Sequence, residues 1–406
     1  MELKEISTKV YNKYANSSKY RSFLSTEQIS KLKTLNGWHS YYLGLYDNKK
    51  LLGVALLVAK KRHFNKYEFY APRGPLLDYE SEKILLTFLQ LLEEFAKNHQ
   101  GYILRIDPYV PYKERNSEGK IVENGYNNQP IVDTILSLNY KKVPSKDEEQ
   151  VSWMYLLDIN TKDEDEMLKT FKASTRTTIR KAIKNNIEII ELGKKDLQEF
   201  YKIMEETGKR KDFAIRSFNY YENMYDLFKP IEGIKYLVTK LDLSKYIKTL
   251  EEDKAKHLND LEKLKTKNNE NKKNSLLTTI AGLDKRINIA KEEQKKYGNI
   301  ITISGSMFIM TDPEVIYLAG GNYEEFMHYN SQYLIQWEMI KYAMEHDYKR
   351  YNFYGIPSTF DKNDKDYGIY EFKTRFNGYV EQLIGEYAKP LSKEYYLIKL
   401  IHKLKK

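Results

Sequence analysis

Ile300-Ile301-Thr302-Ile303-Ser304-Gly305-Ser306-Met307-Phe308-Ile309-Met310, then Thr311-Asp312-Pro313-Glu314, then Val315-Ile316-Tyr317-Leu318-Ala319: this stretch decides the fold of a chain of 406 residues. Two runs rich in β-branched and aromatic residues flank an Asp-Pro turn, so they read as adjacent strands. Working outward, residues 234–240 form a strand before them. A helix over about 333–345 and a strand over 350–354, ending at Gly355, come after. The first half repeats the order. Residues 38–46, 51–60 and 66–71 read as three strands, and an apolar-periodic helix follows (Ile84, Leu85, Phe88, Leu91, Leu92, Phe95). Residues 102–106 then make a strand that ends at Asp107-Pro108. Strand, strand, strand, helix, strand, used twice, is an internal duplication of a mixed α/β unit. The expected division is a first unit over 1–150 and a second over 151–243 and 297–406.

The copies differ where the second interposes residues 241–297 between its opening strands. Leu243, Ile247, Leu250, Lys254, His257, Leu261 and Leu264 step by four and three, as do Leu276, Ile280, Leu283, Ile287, Ala290, Gln294 and Tyr297. With a turn at Asn268-Asn269-Glu270-Asn271, this predicts an antiparallel two-helix coiled-coil arm over 244–296. The ends of such an arm are adjacent, so it replaces a hairpin turn without disturbing the sheet. The arm holds 14 Lys/Arg against 9 Asp/Glu, half of the chain's net charge of +10. That suits RNA or a protein partner, and equally a solvated coil with no ligand.

Composition narrows the classes. At 31% charged and 41% hydrophobic the chain is a folded protein, and a pI near 9.0 favours a polyanionic partner. No apolar run is long enough to span a membrane, and Met1-Glu2-Leu3-Lys4-Glu5 lacks the core of a signal peptide. Zero cysteines exclude disulfides, thiolate metal sites and a cysteine nucleophile, and point to the cytoplasm. His63, His328 and His402 lack metal-ligand spacing, so no metal site is expected. The Gly-x-x-x-x-Gly-Lys-Ser/Thr, Gly-x-Gly-x-x-Gly and Gly-x-Ser-x-Gly patterns are missing.

Two segments carry chemistry. Residues 169–184 contain no acid, and Lys169, Lys172, Arg176, Arg180 and Lys184 line one face of a predicted helix whose apolar side is Leu168, Phe171, Ile179 and Ile183. That is a polyanion footprint, or else a solvated basic face. Further on, Tyr370-Glu371-Phe372-Lys373-Thr374-Arg375-Phe376 frames Lys373 with Phe372 and Phe376. A partly buried cation near a strand terminus is where a developing negative charge can be stabilised.

The duplicated unit looks like an N-acyltransferase (GNAT) fold, but neither copy has the Arg/Gln-x-x-Gly-x-Gly/Ala loop that holds coenzyme A phosphates. Gly320-Gly321-Asn322 lacks the spacing, so an acyl donor other than CoA is expected. Over nearly its whole length the chain resembles the Fem aminoacyltransferases. The resemblance rests on residues 29–38 (Ile29 to Trp38), Ala71-Pro72-Arg73-Gly74-Pro75-Leu76-Leu77-Asp78, Leu104-Arg105-Ile106-Asp107-Pro108, the Ser174–Lys181 segment, Tyr317-Leu318-Ala319-Gly320-Gly321, Tyr370 to Phe376 and Ile384-Gly385-Glu386. It implies two tandem GNAT-like subdomains with the arm inserted in the second. It also implies transfer of glycine, alanine or serine from aminoacyl-tRNA, with no further cofactor. The acceptor would be an amine on the peptidoglycan stem peptide, carried on lipid II or UDP-MurNAc-pentapeptide, and the product an interpeptide bridge.

By the same resemblance Lys33 and Arg216 hold the acceptor's phosphates, with Tyr102 and Tyr220 near that groove. Phe372 and Lys373 meet the tRNA end, alongside Arg176 and Arg180 of the basic helix. Asp107 and Glu386 match carboxylates proposed as acid/base groups, and Ala319 stands where relatives often have an aromatic residue. Lys373 is the expected oxyanion stabiliser. Asp107 is either a group that orients or deprotonates the acceptor amine or an Asp-Pro strand terminator, and Glu386 is expected to be structural. Arg73-Gly74-Pro75 reads as a tight turn. The rivals are a CoA-dependent N-acyltransferase and a non-catalytic RNA-binding or scaffold protein. The basic tail 395–406 suggests peripheral contact with the inner membrane face, or a helix that packs on a domain.

Overall fold

The structure is a computed structural model that describes residues 1–264 and 269–404. The two predicted units are two mixed sheets, each built on a parallel strand pair joined by a long helix. The first sheet runs Glu2–Glu5, His39–Asp47, Lys50–Lys61, Tyr67–Ala71, Gly101–Ile106, Tyr387–Pro390, Lys141–Lys142, with Leu76–Leu77 paired to one side. The second runs Glu188–Glu191, Ile234–Asp242, Ile300–Thr311, Glu314–Asn322, Arg350–Gly355, Trp153–Asp158, Tyr379–Leu383, Pro111–Lys113.

The repeated strands and helices stand where their periodicities place them. Helix Glu82–Asn98 turns Leu85, Phe88, Leu89, Leu92 and Ala96 into the first core, against Leu43, Leu57, Phe69 and Leu104. Its counterpart Ser331–Glu345 is buried nearly all round, because the second sheet packs on one side of it and helix Ala173–Lys184 on the other. Each large apolar side chain buried in this way contributes about 1.5–3 kcal/mol.

Two short strands depart from the sequence division. Pro111–Lys113 belongs by sequence to the first unit yet pairs with Tyr379–Leu383 in the second sheet. Tyr387–Pro390, from the second unit, fills the first sheet between Gly101–Ile106 and Lys141–Lys142. The units are therefore interlocked by exchanged strands.

The arm is a pair of antiparallel helices, Leu243–Leu264 and Glu270–Tyr297. Leu243, Ile247, Leu250, Ile280, Leu283, Ile287 and Ala290 are buried along the seam. At two other seam positions, Lys254 meets Asp284 at 2.5 Å and Gln294 reaches Ser244 at 2.8 Å. Asn269 caps the second helix; Asn268, the first residue of the predicted turn, lies outside the described residues.

The basic segment is not one helix. Helix Glu164–Thr170 stops at Phe171, and a second helix, Ala173–Lys184, starts after Lys172. Phe171 turns into the core against Trp337 and Phe376, while the Arg176 guanidinium reaches back across the break and donates to the carbonyls of Lys169 and Phe171. Lys169 thus leaves the stripe, and Ile183, expected to be apolar and covered, is 53% exposed.

Candidate active site

Helix Glu27–Leu35 of the first unit packs on helix Phe218–Phe228 of the second. That contact brings Lys33 opposite Arg216, which stands just before the second helix with its guanidinium 5.6 Å from the Tyr220 ring centre. The Lys33 ammonium lies over Trp38 at 4.8 Å and Tyr70 at 5.6 Å. Burial lowers its pKa, Arg216 adds to the effect, and Glu149, Asp107 and Glu68 oppose it. Two cations that repel each other across a groove make a site for an anion.

Beneath Lys33 the Tyr70 hydroxyl donates to Asp107 at 2.8 Å. The backbone N–H of Arg73 donates to the same carboxylate at 2.5 Å, and the Arg73 guanidinium stands 3.6 Å away. Asp107 is 2% exposed, and burial pushes its pKa up to about 6 against the pull of Arg73 and Tyr70. Arg73 is equally buried. Its guanidinium donates to the Val151 carbonyl at 2.6 Å and lies over the Tyr109 ring at 5.4 Å. The turn that reads as simple punctuation thus carries a fully buried arginine. An arginine between Pro72 and Gly74 was the available signal, since a turn alone has no use for one.

Lys373 sits in helix Tyr367–Thr374, 5% exposed, and its ammonium donates to the Gly355 carbonyl at 2.5 Å. Burial alone lowers its pKa to about 7. Phe372 is half-buried, edge-on to Tyr333 at 5.0 Å, while Phe376 is fully buried. The basic helix joins this segment directly: the Lys172 N–H and the Thr175 hydroxyl both donate to the Arg375 carbonyl, at 3.2 and 2.9 Å. Arg176 is partly committed to the helix break, Arg180 is exposed, and Lys184 is held by Asp253 of the arm at 2.5 Å.

The two clusters meet at one strand end. Tyr354 has a left-handed φ of 63° and feels Arg73, Asp107 and Arg216; the next residue, Gly355, accepts from Lys373. Lys33, Arg216, Tyr220 and Asp107 thus lie on one side of Tyr354-Gly355 and Phe372-Lys373 on the other. Beyond Asn352 the parallel pair parts, since Glu314–Asn322 pairs with Arg350–Gly355 only through Ile316. Tyr102 shares Glu68 with Lys33 as a charged neighbour. It is 5% exposed, packs on Ile103 and Ile398, and has Glu68, Arg62, Arg105 and Tyr395 as its charged and phenolic neighbours. Glu386 accepts from the Arg105 guanidinium at 2.5 Å and from the Glu149 N–H at 2.6 Å, a bracing role. Gly320 and Gly321 lie within a strand. A Cβ on Gly321 would stand 2.1 Å from the Thr207 hydroxyl, and its carbonyl accepts from Gln332 at 2.9 Å, so the pair serves close packing.

Comparison with known proteins places the chain among its relatives. The model of the FemAB family matches residues 6–403. Aminoacyltransferase FemA of Staphylococcus epidermidis is 31% identical over the whole of both chains, and that of Staphylococcus aureus strain MRSA252 is 29% identical over 98% of this chain and 97% of its own. Among solved structures, FemX superposes with a TM-score of 0.76 at 24% identity, covering 98% of this chain and 99% of that one. A tandem GNAT protein from the clavulanic acid biosynthesis pathway superposes at 0.52 with 8% identity, over 96% and 98%. The chain shares its twofold fold with both solved structures, and it belongs to the FemAB family of aminoacyltransferases.

Proposed function

We propose that this protein moves an aminoacyl group from aminoacyl-tRNA to an amine of a peptidoglycan precursor, extending an interpeptide bridge. The observation that carries the reading is the strand end Tyr354-Gly355, with an anion-binding pair of cations on one side and a buried lysine on the other. The acceptor's phosphates lie between Lys33 and Arg216, and its amine reaches toward Tyr354. The terminal base of the tRNA stacks at half-buried Phe372, with Arg180 and Lys181 meeting backbone phosphates.

The reaction is aminolysis of an ester. A free alkyl amine has a pKa of ~10.4, so about one molecule in ~2,500 is unprotonated at pH 7, and the site must place that amine against the carbonyl. As the N–C bond forms, the carbonyl oxygen gains negative charge, and the Lys373 ammonium stabilises it in a site with little water. The C–O bond then breaks and the tRNA leaves with its 3′-terminal hydroxyl. Asp107 is enclosed by Tyr70 and Arg73, so it acts by fixing the floor under Lys33 and the amine.

Helix Glu394–Leu404 supports a lipid-linked acceptor. Ile398 faces inward, while Tyr396, Leu397 and Leu400 are 67%, 54% and 55% exposed beside Lys393 and Lys399. Apolar and basic groups on one exposed helix suit an anionic membrane face.

The test is reconstitution with charged tRNA and lipid-linked or UDP-linked precursor, read by mass spectrometry of the stem peptide. A mass increment of one amino acid is expected. Transfer from an acyl-CoA, or none from charged tRNA, would overturn the reading. Lys33→Ala and Arg216→Ala should each raise the acceptor KM by about 10–100-fold, the worth of a charge-assisted contact of roughly 1.5–3 kcal/mol, with kcat near that of the unmodified enzyme.

A further inference from the structure

Away from the groove, two buried carboxylates and a half-buried arginine stand together on the second sheet beside Tyr109. Glu314 and Glu381 are 2% and 5% exposed, and Arg350 lies between them. Glu314 claims the arginine. Arg350 donates to it, as do the Tyr109 hydroxyl at 3.1 Å and the Asn352 side-chain amide at 3.1 Å. Glu381 is left 3.9 Å from the guanidinium, beyond hydrogen-bond reach, while Arg350 Nε is buried with no partner. One guanidinium faces two carboxylates, so the group carries one uncompensated negative charge whenever Glu381 is ionised.

Glu381 and Arg350 both line a cavity of about 230 Å³, walled by Tyr20, Tyr109 and Tyr126, with Asn128 and Pro111 beside them. Lys19, at the mouth, is held 3.0 Å from Glu80. A carboxylate withdrawn from water requires either a proton or a cation, and burial pushes Glu381 up to about 7 in spite of Arg350. The aromatic walls offer π faces to a cation and apolar surface to whatever carries it. We propose that this cavity binds a small primary ammonium, with its charge on Glu381 and its alkyl body against Tyr20 and Tyr126. It is separate from the groove described above, and Tyr109, which also carries Arg73, is the wall between them.

The experiment is calorimetric titration of the full chain with propylammonium, with propionate as the control. Glu381 is faced by Arg350, Glu314 and Asp158 from other strands of its sheet, by Tyr379 on its own strand, by Tyr109 and Tyr126 from the first unit, and by Lys19 across the cavity. With Glu381 titrating at about 7, binding should strengthen about 10-fold from pH 6 to pH 8, because the competing proton leaves. Glu381→Gln should abolish binding, and Tyr126→Leu, at a rim residue 41% exposed, should weaken it several-fold while the fold is kept. Propionate should not bind. No saturable propylammonium binding, or equal binding by Glu381→Gln, would overturn the proposal. Should Glu381→Gln fail to fold by circular dichroism, binding by the unmodified chain that is the same at pH 6 and pH 8 overturns it instead.

Discussion

Lys373→Met is expected to lower aminoacyl transfer by about 10²–10³-fold in kcat, the usual cost of losing one oxyanion donor, while the KM values for both substrates stay near their starting values. The variant should fold as well as the original. Lys373 is 5% exposed, and no other charged group perturbs its ammonium. A methionine of similar length fills the same space without a buried charge. A melting temperature that is unchanged or higher, together with lost turnover, separates chemistry from structure; full turnover would remove Lys373 from the mechanism.

The pH profile gives a second readout. Burial holds Lys373 at about 7 and Asp107 at about 6, so the cation needed for catalysis disappears as pH rises through 7, and the Asp107 carboxylate is lost as pH falls through 6. kcat/KM of the free enzyme should therefore follow a narrow bell between those values. Lys373→Arg, which stays charged, should move only the alkaline limb upward. The stability effect has the opposite sense to an ordinary paired lysine. Because the folded pKa is depressed, Lys373 makes the folded state gain stability as pH rises from about 7 toward the unfolded value of ~10.4, and the methionine variant should lack that slope.

Arg73→Ala should destabilise the protein by about 3–5 kcal/mol, the range for removing one partner of a buried ion pair. The change strips the Val151 carbonyl of its donor, leaves Asp107 buried without its cation and empties the space beside Tyr109. Arg73 is also one of the charges that hold Asp107 down, so its loss should raise that pKa above about 6 and shift the acid limb of the profile upward. Chemical denaturation and the pH profile would check the two effects. If both stability and the acid limb were unchanged, Arg73 would be a turn residue and no more.

The local periodicities made most of the fold legible. Strands of five or more residues with β-branched and aromatic side chains, the two long helices and the arm seam each carry their own pattern. The exchanged strands do not. Tyr387–Pro390 and Pro111–Lys113 span four and three residues, too few for alternation to register, and their partners are remote in sequence. The basic segment misled because lysine, threonine and arginine continue a helical stripe smoothly. Only the burial of Phe171 and the capping by Arg176 reveal the break. In the site, Lys33, Arg216, Tyr220 and Lys373 could be picked out through family resemblance. Tyr70 and Tyr354 could not, because their roles arise from contacts between strands and turns and not from any motif; Arg73 lay inside a matched segment but read only as part of a turn. Tyr102 is packed against Ile398 of the C-terminal helix, a contact no local pattern announces.

The interlocked sheets also govern how the protein is made. Arg105 and Glu386 are 281 residues apart, and the strand Tyr387–Pro390 follows at once. At about 5–20 residues per second, a ribosome takes roughly 15–60 seconds to travel that distance. Throughout that interval the nascent first half holds an open edge at Gly101–Ile106, ready to capture a strand from any neighbour. Although its two halves have the same plan, neither matures alone. The N-terminal half waits for the C-terminal end, and holding chaperones have their window of action on this polypeptide during translation.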